Sequence, residues 1–312
     1  MTAEVTEGAT STGGRQPTFG MFPNPQTAPY DGIADRARRA EAMGFDSLWL
    51  ADETPMAYPG QIHFEAWSLL GALARETSRV SLGTLVTPVA FRHPLLLAMS
   101  VSTVDHISNG RVILGLGVGG VKEDLAGLGQ ETLTARELVD RLEEQVVILD
   151  ALLRGETLTR ETGSYQTRDA VIERPVQRPR PPILVAAQAP RALRVAARHA
   201  DIWNSLGGQP IEGDRLALDD AVAVTRRHVE LLDDACLESG RDPSTLRRSV
   251  FAFRHDVYAS PDAFAEWVGR YRDLGFDDFF VTWPTLRGQP SADREAVLEQ
   301  VAADLLPRLR VS

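Results

Sequence analysis

The sequence predicts an α/β fold, a closed (β/α)₈ TIM barrel. Short apolar, β-branched segments alternate eight times with longer helical patterns, which favours a parallel sheet because parallel strands need long crossover connections. The chain has 312 residues, and eight such units over about 290 residues fit a barrel of this kind. The fourth strand, 112–116, is apolar throughout, as expected of a strand covered on both faces. An open doubly wound sheet is the alternative.

The predicted elements follow one another in a regular order. Gly44 is a C-terminal stop signal for the first helix, and Asn109-Gly110 is a turn signal after the third. The strands are predicted at 19–22, 47–51, 80–85, 112–116, 183–187, 202–205, near Val250 and at 278–282. The helices are predicted at 30–43, 64–77, 95–107, about 134–153, 191–200, up to about Glu238, 263–274 and 292–306.

One segment interrupts this order. Residues 154–182 contain four prolines and two glycines, after which the strand–helix pattern resumes. We expect an insertion of about 30 residues after the fourth helix, with a short hairpin, within a single barrel domain spanning 17–312. Residues 1–16 are polar and lack the apolar segment of a signal peptide, so we expect a disordered tail and a cytoplasmic protein.

Composition excludes several function classes. The chain has 33 basic and 43 acidic residues, for a net charge of −10, and no basic stripe that would suit nucleic acid. Cys236 is the only cysteine, which excludes an intramolecular disulfide and a cysteine-rich metal site. No apolar run reaches about 18 residues, so no membrane span is expected. Zinc-hydrolase and serine-hydrolase motifs are absent from the sequence, and we expect no metal.

Candidate site residues follow from the barrel prediction, because active sites of this fold lie at the carboxyl ends of the strands. The second strand ends in Asp52-Glu53. The third, fourth and fifth strands run into 84–88, 115–120 and 187–191.

Two of these turns favour an anion. Gly115, Gly117 and Gly120 match G-x-G-x-x-G, but 121–130 is charged and interrupted by glycine, whereas a dinucleotide fold needs a helix at once. We interpret the loop as one whose backbone amides approach an anion, the alternative being a bare tight turn. Pro190-Arg191 opens a helix after a buried strand, where free amides attract phosphate, although an ordinary helix start would look the same. Together the two turns would hold one phosphorylated ligand.

Asp52 and Glu53 are adjacent, so their side chains face opposite ways along an extended strand. One of them can reach the barrel mouth, and it could act as an acid near neutral pH only if burial or a like charge raises its pKa. The alternative is a pair of solvated loop carboxylates. For His93, before Pro94, a structural histidine at a helix entrance is the simpler interpretation.

Taken together, these segments resemble the luciferase-like flavin and deazaflavin oxidoreductases. The resemblance extends from Phe19 onward and rests on the order and spacing of its motifs. These are AEAMGFDSLW at 40–49, RVSLGTLVTP at 79–88, RHP at 92–94, DHISNGRV at 105–112 running into the glycine loop, RAL at 191–193 and ARHAD at 197–201.

The resemblance implies a barrel that dimerises and holds an isoalloxazine-type cofactor, coenzyme F420 or FMN, in its mouth. It also implies a cis peptide bond at Leu85-Val86, in a bulge that backs the central ring, with Asp52 contacting the deazaflavin. The residues expected to bind the cofactor lie on four strand ends: Asp52, Thr84, Leu85, Val86, Gly117, Val118, Gly119, Gly120, Ala187, Gln188, Ala189, Pro190 and Arg191.

Two positions depart from the family pattern. Glu53 stands where a catalytic histidine is common, and Gly120 stands where sugar-phosphate dehydrogenases carry a glutamate. From the resemblance as a whole we expect an F420-dependent oxidoreductase that transfers a hydride between the deazaflavin and a small organic substrate, with Glu53 as the proton donor or acceptor. The alternatives are an FMN-dependent monooxygenase supplied by a separate reductase, and a barrel that binds the cofactor without catalysis.

Overall fold

Eight parallel strands close into a barrel, as predicted. The computed structural model describes residues 15–56, 60–119, 122–161, 163–286 and 289–311. Each strand pairs with its neighbours in the chain, and pairing of the first strand with the last, Phe19 beside Phe279, closes the ring. The strands are β1 (Thr18–Phe22), β2 (Ser47–Leu50), β3 (Ser81–Thr84), β4 (Val112–Gly117), β5 (Ile183–Ala186), β6 (Ile202–Ser205), β7 (Arg247–Phe251) and β8 (Asp278–Thr282).

Helices follow the strands and cover the outside of the barrel. They are α1 (Tyr30–Ala42), α2 (Ala66–Glu76), α3 (Pro94–Ser108), α4 (Lys122–Gly127), α5 (Ala135–Arg154), α6 (Pro190–His199), α7 (Leu218–Glu238), α8 (Pro261–Arg272), α9 (Ala292–Gln300) and α10 (Leu306–Val311), with π-helical Val301–Leu305 between the last two. No helix in the described part of the chain is both long and apolar enough to cross a membrane.

The short helix α4 differs from the sequence-based expectation. We predicted a charged, glycine-interrupted loop after the glycine turn, whereas a helix of 6 residues begins at Lys122. Leu125 within it is buried, so an apolar contact stabilises a turn and a half that local composition does not favour. The next helix, α5, begins with the capping box of Thr134 and Glu137 and ends at Gly155 in the left-handed region.

Two apolar cores lie on opposite sides of the strands. The larger fills the space between the strands and the surrounding helices. The smaller, here called the lumen cluster, fills the inside of the barrel, and every strand or the residues directly after it contributes to it. Its members are Phe22, Trp49, Ala51, Leu85, Val86, Ile113, Leu184, Ile202, Leu206, Phe251, Phe253 and Phe280.

The segment 154–182 packs along the outside of the barrel. Leu158–Arg160 and Thr167–Ala170 form an antiparallel hairpin, and the Tyr165 hydroxyl near its tip donates to the Val89 carbonyl over 2.6 Å. Its status as an insertion, like the division into a tail and one barrel domain, stays a prediction. Residues 1–14 of the expected tail lie outside the described residues.

Candidate active site

The loops after β3, β4 and β5 meet at the carboxyl end of the barrel. A Cβ atom placed on Gly117 would lie 2.6 Å from Cγ2 of Val86 and 3.8 Å from Cβ of Ala186. Gly117 therefore touches the ends of both neighbouring strands, and only a residue without a side chain allows this approach. The three loops predicted from the sequence thus share one rim. Gly120, the last residue of the predicted glycine motif, lies outside the described residues.

The end of β3 forms part of the floor of the mouth. The Leu85-Val86 peptide bond is cis, as predicted, and both side chains are half-buried members of the lumen cluster. The Thr84 hydroxyl instead donates to the Gly115 carbonyl over 2.8 Å and is fully buried. Thr84 therefore joins β3 to β4 and does not present its hydroxyl to the mouth.

The loop after β4 presents its backbone. Gly119 has a φ of +88°, a conformation that favours glycine, and the Gly117 carbonyl accepts from the Val89 amide over 3.0 Å. Val118 is half-buried against the outer core. The loop therefore offers little side-chain bulk to a ligand that approaches its amides.

The loop after β5 ends in a helix whose first amides are available. Ala187 is buried, Gln188 is half-buried, and Ala189 precedes Pro190, the first residue of α6. No side chain among the described residues caps this helix, so its first amides can meet an anion. The Arg191 guanidinium pairs with Asp140 and donates to the Arg136 carbonyl on α5, and both side chains of the pair are exposed.

Asp52 is buried and belongs to a cluster of charges that the sequence did not predict. Its carboxylate accepts from both terminal nitrogens of Arg92, at 3.1 Å for the Nη2–Oδ1 contact, and from the Thr87 hydroxyl at 3.0 Å. Arg92 also pairs with Glu65, which caps α2 by accepting from the Trp67 and Ser68 amides. We call Asp52, Arg92 and Glu65 the carboxylate clamp. It fastens both ends of the loop 53–64 to the loop after β3.

The ionisation of the clamp reflects a balance between burial and pairing. Burial raises the pKa of the Asp52 carboxyl, and the Arg92 charge and the Thr87 hydroxyl oppose that rise. Burial by itself lowers the pKa of Arg92, but the charges of Asp52 and Glu65 outweigh it and raise that pKa above its ordinary value. Asp52 thus accepts three hydrogen bonds from the protein, which fix the surrounding loops.

Glu53, which follows Asp52 directly, is a second acidic side chain at the mouth. It is half-buried, and its Oε2 accepts from the Gln26 amide over 3.1 Å. It borders a cavity of about 280 Å³. The lining comprises Asp52, Glu53, Thr54, Pro55, His63, Phe64, Glu65, Phe91, Arg92 and Leu128.

Across the mouth from Leu85-Val86 stands an aromatic wall. Strand β7 lies opposite β3 in the ring, and its Phe251 packs against Phe22 and Phe253 with ring centroids 5.9 and 6.2 Å apart. Sequence reasoning missed this wall, although phenylalanine at every second position of 251–253 is a signal for it. It also left Arg92 without a role, since no local feature of the sequence pairs this residue with Asp52.

The comparisons with known proteins agree with this geometry. Residues 10–268 match the family described as luciferase-like monooxygenase. An F420-dependent glucose-6-phosphate dehydrogenase of Microbacterium testaceum is 33% identical, over 87% of this chain and 91% of that one. A phthiodiolone/phenolphthiodiolone dimycocerosates ketoreductase of Mycobacterium tuberculosis is 30% identical, over 66% of this chain and 56% of that one.

A solved structure shows the same fold. The coenzyme F420-dependent tetrahydromethanopterin reductase of Methanopyrus kandleri superposes with a TM-score of 0.76 at 18% identity, over 94% of this chain and 99% of that one. The family match covers most of the chain and includes all the loops described above, up to the end of β7. The protein is an enzyme that belongs to the luciferase-like oxidoreductase family.

Proposed function

We propose that the protein is an F420-dependent oxidoreductase that transfers a hydride between the deazaflavin and a small organic substrate. The observation that carries this proposal is the contact of Gly117 with Val86 beside the half-exposed Leu85-Val86 segment. This contact places the apolar side chains of Leu85 and Val86 next to two turns with backbone amides. The relative in Microbacterium testaceum, named as F420-dependent, supports the choice of cofactor.

The residues present fit such a cofactor. A side chain at Gly117 would fill the cradle, and the uncapped start of α6 beside it suits a phosphate. Leu85 and Val86 would back the ring system, while the backbone N–H groups of 117–119, Gln188, Ala189 and Arg191 would hold the phosphate. F420, when bound, supplies a two-electron carrier, and the protein supplies binding, orientation and a dry site.

Glu53 is the residue to which we assign proton transfer. Hydride exchange with a carbonyl or an alcohol requires one proton to reach or leave the substrate oxygen, and a positioned carboxyl can carry it. Gln26 donates to Oε2 of Glu53 over 3.1 Å and so orients the carboxyl beside the cavity. The carboxylate clamp fixes the backbone on either side of Glu53, because Asp52 directly precedes it and Glu65 ends the same loop.

The test is a titration of the purified protein with F420 and with FMN, each followed by cofactor fluorescence. We expect saturable binding of F420, with FMN at least tenfold weaker, about 1.4 kcal/mol. Bleaching of the bound F420 absorbance by a substrate would then establish the direction of transfer. Binding of FMN without binding of F420 would contradict the proposal.

The second candidate is an FMN-dependent monooxygenase that receives reduced flavin from a separate reductase. The description of the matching family as luciferase-like monooxygenase favours it, and the same cradle would serve. Oxygen consumption with reduced FMN distinguishes it from the first candidate, which consumes none. A barrel that only binds its cofactor has no support among the comparisons, since the named relatives are enzymes.

We also propose a homodimer located in the cytoplasm. The apolar side chains of Leu96 and Met99 are 59% and 50% exposed on one face of α3, and an apolar stripe of this kind suits a second copy of the chain. Light scattering coupled to gel filtration should give the mass of a dimer, and Leu96→Glu should give the mass of a monomer. A wild-type monomer would contradict this part of the proposal.

A further inference from the structure

We infer that the substrate is an uncharged molecule with an apolar body, such as an aromatic or branched ketone or the corresponding alcohol, and that it is not a phosphorylated sugar. This inference rests on the proposed function, because it concerns the compound that meets the bound deazaflavin. It departs from the activity for which the relative in Microbacterium testaceum is named. Three sets of observations on the mouth carry it.

The first is the wall that faces the proposed ring position. Opposite Leu85-Val86, the mouth is closed by Phe22, Phe251 and Phe253, joined by the half-buried Leu206. Phe22 and Phe251 are 7% and 9% exposed, so they are packed in place, and the half-buried Phe253 next to them retains accessible apolar surface. Such a surface gains free energy by contact with apolar atoms and offers no hydrogen bonds to sugar hydroxyls.

The second is the lining of the cavity beside Glu53. Pro55, Phe64, Phe91 and Leu128 supply its apolar part, and Phe64 remains 41% exposed in the absence of a ligand. The cavity and the lumen cluster meet at the end of β2. Ala51 there belongs to the lumen cluster, and Glu53, two positions later, lines the cavity. A substrate between them would place its reacting carbon near the ring and its oxygen near Glu53.

The third is the state of the arginines that follow barrel strands. The amides of the two turns are assigned to the cofactor phosphate, so a phosphorylated substrate would depend on cationic side chains with free N–H groups. Arg92 is bound by Asp52 and Glu65, and Arg191 by Asp140 and the Arg136 carbonyl. The two terminal nitrogens of Arg254 donate to the carbonyls of Pro210 and Gly213 at 2.9 and 2.7 Å. These three guanidiniums already have protein partners.

Arg215 and Arg287 are two other arginines that follow barrel strands and could meet a phosphorylated substrate. Arg215 is exposed on the loop after β6. The Arg294 hydrogen bond lowers the pKa of Asp256, and the charge of Arg215 adds a smaller lowering. Arg287, after β8, lies outside the described residues. The experiment therefore includes variants of both arginines.

The experiment measures ligand binding to protein already loaded with F420. Acetophenone and glucose 6-phosphate are titrated separately, and binding is followed by the change in F420 fluorescence and by saturation-transfer NMR of each ligand. A ligand as small as acetophenone should bind with a Kd of about 1 mM. We expect saturation with acetophenone and no saturable effect of glucose 6-phosphate.

Variants connect the result to the mouth. Phe253→Ala and Phe64→Ala should each weaken acetophenone binding about tenfold, because each removes apolar contact area. Leu237→Ala, at a 65% exposed position on α7, is the matched control and should leave the Kd unchanged. An equal Kd for acetophenone in wild type and both phenylalanine variants would contradict the inference.

The outcomes separate the two proposals. Failure of F420 to bind in the first step refutes the proposed function, and this inference with it. Binding of F420 followed by tighter binding of glucose 6-phosphate than of acetophenone refutes the inference alone. Loss of that sugar-phosphate binding in Arg215→Ala or Arg287→Ala would identify the cation responsible. Absence of acetophenone binding to the F420-loaded protein would also refute the inference.

Discussion

The two ends of the barrel use charged side chains for different purposes. At the amino end, carboxylates bind the backbone where strands begin. Glu41 accepts from the amides of Ser78, Arg79 and Val80, at 2.6 to 3.1 Å, and Asp201 accepts from the Ile183 amide over 2.7 Å. Ion pairs lie among these contacts, since Asp201 also pairs with Arg180.

At the carboxyl end, the charged side chains bind one another. Asp52, Arg92 and Glu65 join two loops that no strand ladder connects, while the floor and wall of the mouth are apolar. Carboxylates at the amino end therefore cap backbone amides at several strand starts, whereas the two loops at the mouth are joined by one clamp of charged side chains. Substitutions at the two ends should therefore differ in size and in pH dependence.

The largest effect is expected from Arg92→Met, which leaves Asp52 buried without its cation. Removing one partner of a buried pair costs about 3–5 kcal/mol, so urea unfolding should show a large loss in the free energy of unfolding. The double variant Asp52→Asn with Arg92→Met should recover part of it. Arg38→Met is the matched control, since its pair with Glu76 is exposed and is worth at most about 1 kcal/mol. Equal losses in the two arginine variants would contradict the clamp.

Glu53→Gln should abolish proton transfer without disturbing the fold. The amide keeps the size of the carboxyl and cannot exchange a proton, so we expect kcat to fall about 100-fold or more, with the F420 Kd and the melting temperature unchanged. Glu131→Gln, at an exposed position on the same side of the barrel, is the control. Unchanged turnover in Glu53→Gln would remove the role of Glu53.

At the amino end, Glu41→Gln should produce a smaller, pH-dependent loss of stability. Burial raises the pKa of Glu41, but the hydrogen bonds from 78–80 outweigh it and hold that pKa below its ordinary value of 4.5. A lowered pKa contributes stability that is present above the ordinary value and is lost as pH falls through the folded-state value. Thermal melts should show a loss of about 1 kcal/mol in the free energy of unfolding at pH 7. The loss should disappear at a pH low enough to protonate Glu41 in the wild type. A loss independent of pH would contradict this assignment.

How far the sequence predicts this molecule depends on the range of the interaction. The eight strands were predictable because each is a short apolar run bounded by turn residues, and the rim positions of 117–119 and 187–191 follow from strand order alone. The carboxylate clamp was not predictable, because Arg92 and Asp52 are 40 positions apart and no local sequence feature indicates their contact. The lumen cluster was not either, because Phe279 and Phe280 are both apolar and only the register shows that Phe280 faces inward.

The proposed position of F420 against Gly117 and Val86 can be tested by an F420 titration of the wild type, Gly117→Ala and Gly269→Ala. A methyl group at Gly117 would lie 2.6 Å from Val86 and displace the floor of the cradle, whereas one at Gly269 meets nothing within 4 Å. We expect the Kd for F420 to rise at least tenfold in Gly117→Ala, about 1.4 kcal/mol, and to remain at the wild-type value in Gly269→Ala. An unchanged Kd in Gly117→Ala would contradict the placement of the cofactor at this rim.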